Sequence, residues 1–242
     1  MEYTAELVEE HAFESYVKDF FVQGGSGLNI TLPFKARAAQ LATQSSERVQ
    51  QTGAANTLWI EHGEVRADNT DGMGWIADIH RLGWQLAGAR VVVLGAGGAV
   101  AGIMPQLLAS GIASCTLCNR TRSRAGELVR QFSSLAQQHG VAVVEDGLDY
   151  IRNRRVDLLI NALSINSEFD YGQYNVKPEH AYDLSYALDR PTVFCAVMGA
   201  VGAAHVADGL GMLVYQAAAA FTIWHDAKVD ACAALWQLKS NL

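Results

Sequence analysis

The stretch VVVLGAGGAV, residues 91–100, places a glycine turn directly after an apolar run and directly before a helical pattern. Gly95 allows a tight turn at the end of a strand, and Gly97 lets a pyrophosphate approach the backbone closely. The free N–H groups and the positive dipole at the start of the next helix attract an anion. Val100 stands at the usual third glycine position, so the nucleotide-binding fingerprint is partial. The stretch predicts a phosphate-binding loop, and the alternative is a tight strand-to-helix turn without a ligand.

A basic segment, residues 119–124, follows about twenty residues later at the end of the next predicted strand. An NAD site usually has Asp or Glu at this strand end, and that carboxylate would repel a 2′-phosphate. Here the position is the neutral Asn119. Arg120 and Arg124 can hold a phosphate with bidentate geometry, and Thr121 can donate a hydrogen bond. NADP is therefore the predicted cofactor; the alternative is a solvated helix start, where positive charge opposes the helix dipole.

The elements around the loop follow the strand, helix, strand order of a parallel sheet. We predict strands at residues 90–94, 114–118, 141–145, 157–161, 181–183 and 192–196. We predict helices at residues 99–110, 123–139, 212–224 and 226–239. The preceding part of the chain predicts a smaller α/β unit and a helix that leaves it. Its elements are helices at 4–21, 33–42 and 70–82, a strand at 28–31 and a hairpin formed by 56–60 and 64–67.

The predicted fold class is α/β. It combines a Rossmann-type, doubly wound parallel sheet that binds NADP with a smaller α/β substrate domain that the C-terminal helices complete. We expect the substrate domain at residues 1–72, the nucleotide-binding domain at 73–210 and the returning helices at 211–242.

The composition indicates a soluble globular protein. The chain has 242 residues, half of them hydrophobic, which is enough for a sizeable core. A formal charge of -7 and a pI near 5.4 argue against nucleic acid or an anionic membrane as a partner. There is neither a long apolar run nor a secretory signal, so a cytoplasmic location is predicted. The four cysteines are scattered, and we expect buried, reduced thiols and no metal site.

Polar side chains and one lysine gather in the smaller unit. In GLNITLPFK, residues 27–35, strand alternation places Asn29 and Thr31 on one face. A proline then starts a helix that carries Lys35 in its first turn. A carboxylate beside Lys35, such as that of Asp71, would form an acid/base pair able to move a proton to or from a substrate hydroxyl. Taken alone, each of these residues could instead have a purely structural role as a turn residue, a helix cap or a surface charge.

Taken together, these stretches resemble the shikimate dehydrogenases, a family that includes quinate dehydrogenases, over nearly all of the chain. They are GLNITLPFK (27–35), GAANTL (53–58), NTDGMG (69–74), VLGAGGA (93–99), NRTRSRA (119–125) and DGLGMLVYQAAAAF (208–221). The resemblance implies NADP as the cofactor and no metal. It implies the reversible reduction of 3-dehydroshikimate to shikimate, a step of aromatic amino-acid biosynthesis.

The resemblance also assigns roles to residues. It makes Lys35 and Asp71 the catalytic pair. It assigns to the substrate Asn29, Thr31, Asn56, Tyr186 and Gln216. It assigns to NADP Gly95, Ala96, Gly97, Gly98, Ala99, Asn119, Arg120, Thr121, Arg124, Leu184 and Gly209. The segment Asn161-Ala162-Leu163-Ser164 resembles the one that passes beside the nicotinamide, with Leu163 where threonine is common.

One departure from the family leaves other functions open. Family members have a strand, a Ser-x-Ser pair that holds the substrate carboxylate and a helix before the position that resembles Met1, and this sequence has none of them. Without them we expect fewer hydrogen bonds to the substrate and an uncovered sheet edge, for which completion by a homodimer is a hypothesis. The alternatives are an NADP-binding paralogue with weak or no catalysis, acting as a sensor or scaffold, and a dehydrogenase for quinate or another polyol acid.

Overall fold

A computed structural model describes residues 2–163 and 169–241. The smaller of its two sheets has four strands in the order β1-β3-β4-β2. These are β1 (Gly27–Asn29), β2 (Gln44–Ser45), β3 (Thr57–Glu61) and β4 (Glu64–Asp68). β3 lies antiparallel to β1 and β4, and β2 lies parallel to β4. His62 and Gly63 turn the chain between β3 and β4 with positive φ angles of 53° and 82°, which confirms the predicted hairpin.

The larger sheet has six parallel strands in the order β10-β9-β8-β5-β6-β7. They are β5 (Arg90–Leu94), β6 (Ser114–Cys118), β7 (Ala142–Asp146), β8 (Arg155–Asn161), β9 (Lys177–Asp183) and β10 (His205–Ala207). The order reverses between β5 and β8. This is the Rossmann strand order, in which ligands bind outside the carboxyl ends of the strands at the reversal. The predicted fold class is confirmed.

Helices cover both faces of the larger sheet and also pack on the smaller one. They are α1 (Phe13–Val22), α2 (Lys35–Leu41), α3 (Glu47–Thr52), α4 (Asp71–Arg81), α5 (Gly98–Ala109), α6 (Arg122–Gln131), α7 (Ser133–His139), α8 (Val193–Ala200), α9 (Leu210–His225) and α10 (Ala231–Ser240). Along β5, Val91 and Val93 enter one core, whereas Val92 and Leu94 enter the other. Both faces of this strand are therefore buried, as a doubly wound sheet requires.

Close packing of α4 on α9 joins the two units. A Cβ built on Gly74 of α4 would lie 2.6 Å from both the Gln216 nitrogen and the Met212 oxygen of α9. Glycine therefore lets the two backbones approach more closely than any side chain permits. Farther along α9, the Trp224 indole donates a hydrogen bond to the Leu58 carbonyl of β3 at 3.2 Å. The helix thus reaches from the larger unit back to the smaller sheet.

Two predicted elements are wrong. The helix expected from residue 4 starts only at Glu10, with a short 3-10 turn before α1. Leu7, which supported the longer helix, is 96% exposed and adds no buried face. The strand expected at residues 192–196 is the start of α8, because the Thr192 hydroxyl accepts the Cys195 N–H and caps the helix.

Other boundaries differ in smaller ways. The helix expected at residues 123–139 divides into α6 and α7 at Phe132, whose side chain is buried in the core. The helix expected from Asp226 begins at Ala231, because Asp226 has a left-handed φ of 48°. Cys232 is exposed, unlike the other three cysteines, which are buried as predicted. No helix in the described ranges is both long and apolar enough to cross a membrane.

Candidate active site

Lys35 and Asp71 lie in direct contact at the starts of two helices. Lys35 is the first residue of α2, and Asp71 is the first residue of α4. The Lys35 Nζ donates to Asp71 Oδ2 at 2.7 Å, and the two side chains are 18% and 3% exposed. The carboxylate is therefore buried behind an ammonium group that still reaches the surface. Such a pair can hold and pass a proton at the position of Nζ.

Asn56, just before β3, holds the second oxygen of Asp71. Its Nδ2 donates to Asp71 Oδ1 at 2.8 Å and contacts the Gln216 Oε1 of α9 at 3.1 Å. Its Oδ1 accepts the Thr70 N–H at 2.9 Å. The Asn56 side chain is buried, so these contacts fix one amide orientation. The structure thus brings together four predicted site residues, Lys35, Asp71, Asn56 and Gln216.

Asn29 and Thr31 lie at the end of β1, where both are exposed. Asn29 Nδ2 contacts the Asn56 carbonyl at 3.5 Å, and its Oδ1 accepts the Tyr3 hydroxyl at 2.9 Å. These contacts connect Asn29 with the buried part of the site through Asn56. Tyr3 was missed by the sequence reasoning, because no pattern connects it with β1.

The predicted phosphate loop lies between β5 and α5. Gly95 has a φ of +112°, and a Cβ there would lie 2.8 Å from the Ala162 carbonyl oxygen. Gly97 and Gly98 are exposed, and a Cβ on Gly97 would meet no atom within 4 Å. Ala96 and Ala99 are half-buried beside them. Gly97 and Gly98 thus leave an open backbone surface at a helix N-terminus, which suits a phosphate group.

The three arginines of the basic segment differ in their partners. Arg122 lies within 4.0 Å of carboxylate oxygens of both Glu145 and Asp146. Arg120 and Arg124 are exposed and form no ion pair with any residue in the described ranges. They therefore leave two uncompensated positive charges near the start of α6, where the helix dipole disfavours cations.

The remaining residues of this segment shape the strand end. The Asn119 side chain donates to the Thr121 carbonyl at 2.9 Å, and the Asn119 N–H donates to the Asp146 carbonyl at 3.2 Å. The Thr121 hydroxyl does not cap α6 and is exposed. Together they form a short turn that presents the adjacent arginines at the surface.

Leu184 and Gly209 pack on each other beyond the end of β9. A Cβ on Gly209 would lie 2.5 Å from the Leu184 carbonyl oxygen. Tyr186, two residues after Leu184, is 40% exposed. The segment after β8 is described as far as Leu163, so Ser164 lies outside the described residues.

Gly102, like Tyr3, is a residue near the site that the sequence patterns did not identify. It lies one turn into α5, and a Cβ there would be 2.9 Å from Asp71 Oδ2. The helix that begins at the phosphate loop therefore packs directly against the carboxylate that binds Lys35. Only the close approach of α4 and α5 identifies this residue, and periodicity carries no information about that distance.

Comparison with known proteins agrees with this geometry. The chain is 39% identical, over its whole length, to the shikimate dehydrogenase (NADP(+)) of Cellvibrio japonicus, and it spans 87% of that protein. The chain belongs to the shikimate dehydrogenase family. Its fold is also that of solved family structures. A shikimate dehydrogenase crystallised with NADP+ superimposes with a TM-score of 0.82 at 27% identity, covering 97% of this chain and 83% of the other.

An Ael1 enzyme from Pseudomonas putida is also similar, with a TM-score of 0.84 and 35% identity over 95% of this chain and 84% of that one. Three family descriptions match separate parts of this shikimate dehydrogenase family member. The shikimate dehydrogenase substrate binding domain matches residues 1–58, which contain Lys35. Shikimate / quinate 5-dehydrogenase matches residues 78–168, which contain the phosphate loop. The shikimate 5'-dehydrogenase C-terminal domain matches residues 209–231.

Proposed function

We propose that the protein is an NADP-dependent shikimate dehydrogenase that reversibly reduces 3-dehydroshikimate to shikimate. The observation that carries this proposal is the contact of 2.7 Å between Lys35 Nζ and Asp71 Oδ2. The chain also aligns over its full length with a protein named shikimate dehydrogenase (NADP(+)). The buried carboxylate fixes the lysine, and the lysine remains accessible to a substrate.

The residues that would hold NADP fit its charge. The pyrophosphate would lie on the exposed glycines, Gly97 and Gly98, at the start of α5. Arg120 and Arg124 lack a carboxylate partner within the described ranges, and a 2′-phosphate would supply the missing negative charge. When bound, the nicotinamide supplies or takes the hydride.

Lys35 is the group proposed to move the proton. In the reducing direction the carbonyl oxygen of the substrate gains negative charge as its carbon receives hydride. The Lys35 ammonium stabilises that charge and supplies or relays the proton to the oxygen. Asp71 Oδ2 keeps Nζ in place, and Asn56 keeps Asp71 from rotating. The reverse direction returns the proton to Lys35 as hydride leaves.

The substrate hydroxyls are assigned to the polar residues around this pair. Asn56 and Gln216 contact each other beside Asp71, which supports a common role in holding one ring. Asn29 lies against the Asn56 carbonyl. Thr31 and Tyr186 are exposed, as residues that meet a ligand from outside must be. An NADP-binding paralogue without catalysis does not require the Lys35 contact with Asp71, so this alternative is not favoured.

We also propose that the substrate domain ends at residue 72 and the nucleotide-binding domain at residue 210. These boundaries are supported by β4, which ends the smaller sheet at Asp68, and by α9, which starts at Leu210 and returns to Leu58. A homodimer in the cytoplasm is the assembly and location we propose. Within residues 2–163 and 169–241, β1 lies at an edge of the smaller sheet, where a strand of a second copy could pair.

Initial rates of reduced-nucleotide formation test the function. The purified chain is assayed with shikimate or quinate, each with NADP+ or NAD+. We expect NADPH to form fastest with shikimate and NADP+. Faster turnover of quinate would instead identify the quinate alternative, and the absence of turnover with NADP+ bound would support the non-catalytic paralogue.

A further inference from the structure

A buried carboxylate at the end of β9 has no role in the chemistry described above. Asp183 is 2% exposed, and it is paired across the sheet with Asn161, the last residue of β8. Asn161 is paired in turn with Leu94, the residue before the phosphate loop. The three residues therefore form a row at the carboxyl edge of the sheet. Ligands of open α/β sheets bind outside this edge.

The Asp183 carboxylate accepts hydrogen bonds from three segments of the chain. Oδ1 accepts from Asn161 Nδ2 at 2.9 Å and from the Ser185 N–H at 3.1 Å. Oδ2 accepts from the Thr192 hydroxyl at 2.6 Å. The network continues through Asn161, whose Oδ1 contacts the Leu163 N–H at 3.3 Å. One carboxylate thus connects the turns after β8 and β9 with the start of α8.

The buried Asp183 carboxylate lacks a basic partner among the described residues, so its burial is not offset by an ion pair. Within residues 2–163 and 169–241, no basic side chain forms an ion pair with Asp183. Burial raises the pKa of the Asp183 carboxyl, and the hydrogen bonds from Thr192, Asn161 and Ser185 oppose that rise. A buried carboxylate without a cation is a poor source of stability, but a fully bonded one fixes a single geometry.

We propose that Asp183 is a positioning residue for the reaction, because its carboxylate fixes the turn after β9 and thereby sets where Leu184 and Tyr186 lie. This inference rests on the proposed function, which assigns Leu184 to the nucleotide and Tyr186 to the substrate. The Leu184 N–H also bonds to the Asn161 carbonyl at 2.8 Å, so strand pairing holds the start of the turn. Beyond Leu184, the Ser185 N–H has Asp183 Oδ1 as its acceptor.

Two substitutions of Asp183 and one control variant test this role. Asp183→Ala removes all three contacts. We expect kcat with shikimate to fall about 10- to 100-fold and KM for shikimate to rise, because small displacements of positioning residues have effects of this size. Asp183→Asn offers one acceptor oxygen instead of two, so we expect an intermediate kcat with little change in Tm. The affinity for NADP+ should change less than KM for shikimate, since Leu184 alone connects this network with the nucleotide and Arg120 and Arg124 do not contact it.

Thr192→Val is the matched control. It removes the hydrogen bond to Oδ2 and the cap of α8 but leaves both contacts to Oδ1. We expect a lower Tm, with kcat and KM closer to the wild-type values than those of Asp183→Asn. The inference is overturned if Asp183→Asn and every folded Asp183→Ala preparation have wild-type kcat and KM, or if Thr192→Val loses as much kcat as the Asp183 variants.

Hydrogen exchange separates this inference from the proposed function. If the wild-type chain does not turn over shikimate, the proposed function fails, and the Ser185 amide still reports on Asp183. Faster exchange of that amide in Asp183→Ala, which removes its acceptor, than in Thr192→Val, which keeps it, supports the positioning role. Equal exchange in both variants contradicts it.

Discussion

Arg120, Arg122 and Arg124 are the same residue type, but they differ in whether a carboxylate lies nearby. Arg122 lies within reach of Glu145 and Asp146, so its charge is already compensated. The other two carry their charge at the surface near the N-terminus of α6. The sequence reasoning selected Arg120 and Arg124 from the same short segment, but only the structure shows which arginine has a carboxylate partner.

Substitution of these arginines should separate the two nicotinamide cofactors. We expect Arg120→Ala and Arg124→Ala each to raise KM for NADP+ about 10-fold or more, because a hydrogen bond to a charged group contributes about 1.5–3 kcal/mol. KM for NAD+ should stay the same, since that cofactor lacks the 2′-phosphate. Arg122→Ala is the control and should change neither value. Equal effects of all three substitutions on NADP+ would disprove the assignment.

At the scale of elements, the contact of α4 with α9 places Asp71 and Gln216 beside each other. Gly74→Ala would put a methyl group 2.6 Å from backbone atoms of α9, which cannot move as a side chain tip can. We expect a loss of about 1–3 kcal/mol in the free energy of unfolding, the usual cost of overpacking. Urea denaturation measures this loss.

Gly199→Ala is the control for this measurement. Gly199 also lies in a helix, α8, but a Cβ there would meet no atom within 4 Å. The substitution should be neutral or slightly stabilising, since alanine favours the helix more than glycine does. Wild-type stability of Gly74→Ala would show that α4 and α9 are not packed as described.

The sequence predicted correctly those helices and strands that neighbouring residues determine. The hairpin at His62 and Gly63 and the strand before the glycine loop were predicted because turn residues and an apolar run mark them directly. The apolar residues 192–196 fit a strand or a buried helix equally, and the cap by Thr192 decided between the two. The strand β10 was missed because it has three residues, none of them fully buried, and so shows no apolar run.

At the scale of the whole molecule, the site is assembled from distant positions. Lys35, Asn56, Asp71 and Gln216 come from α2, the approach to β3, α4 and α9, and 160 residues separate Asn56 from Gln216. Motif resemblance predicted these residue types and their roles. Their contacts depend on how α4 and α9 pack, and no local pattern contains that information. Gly102 and Asp183 went unnoticed for the same reason.

Comparison of the wild-type chain with Lys35→Ala tests the central claim most directly, because it separates turnover from nucleotide binding. NADPH formation from shikimate and the Kd for NADP+ are measured on both proteins. We predict turnover by the wild-type chain, a loss of about 10²- to 10⁴-fold in kcat for Lys35→Ala, as expected for a lost acid/base group, and the same Kd for NADP+ in both. Undiminished turnover by Lys35→Ala would contradict the account.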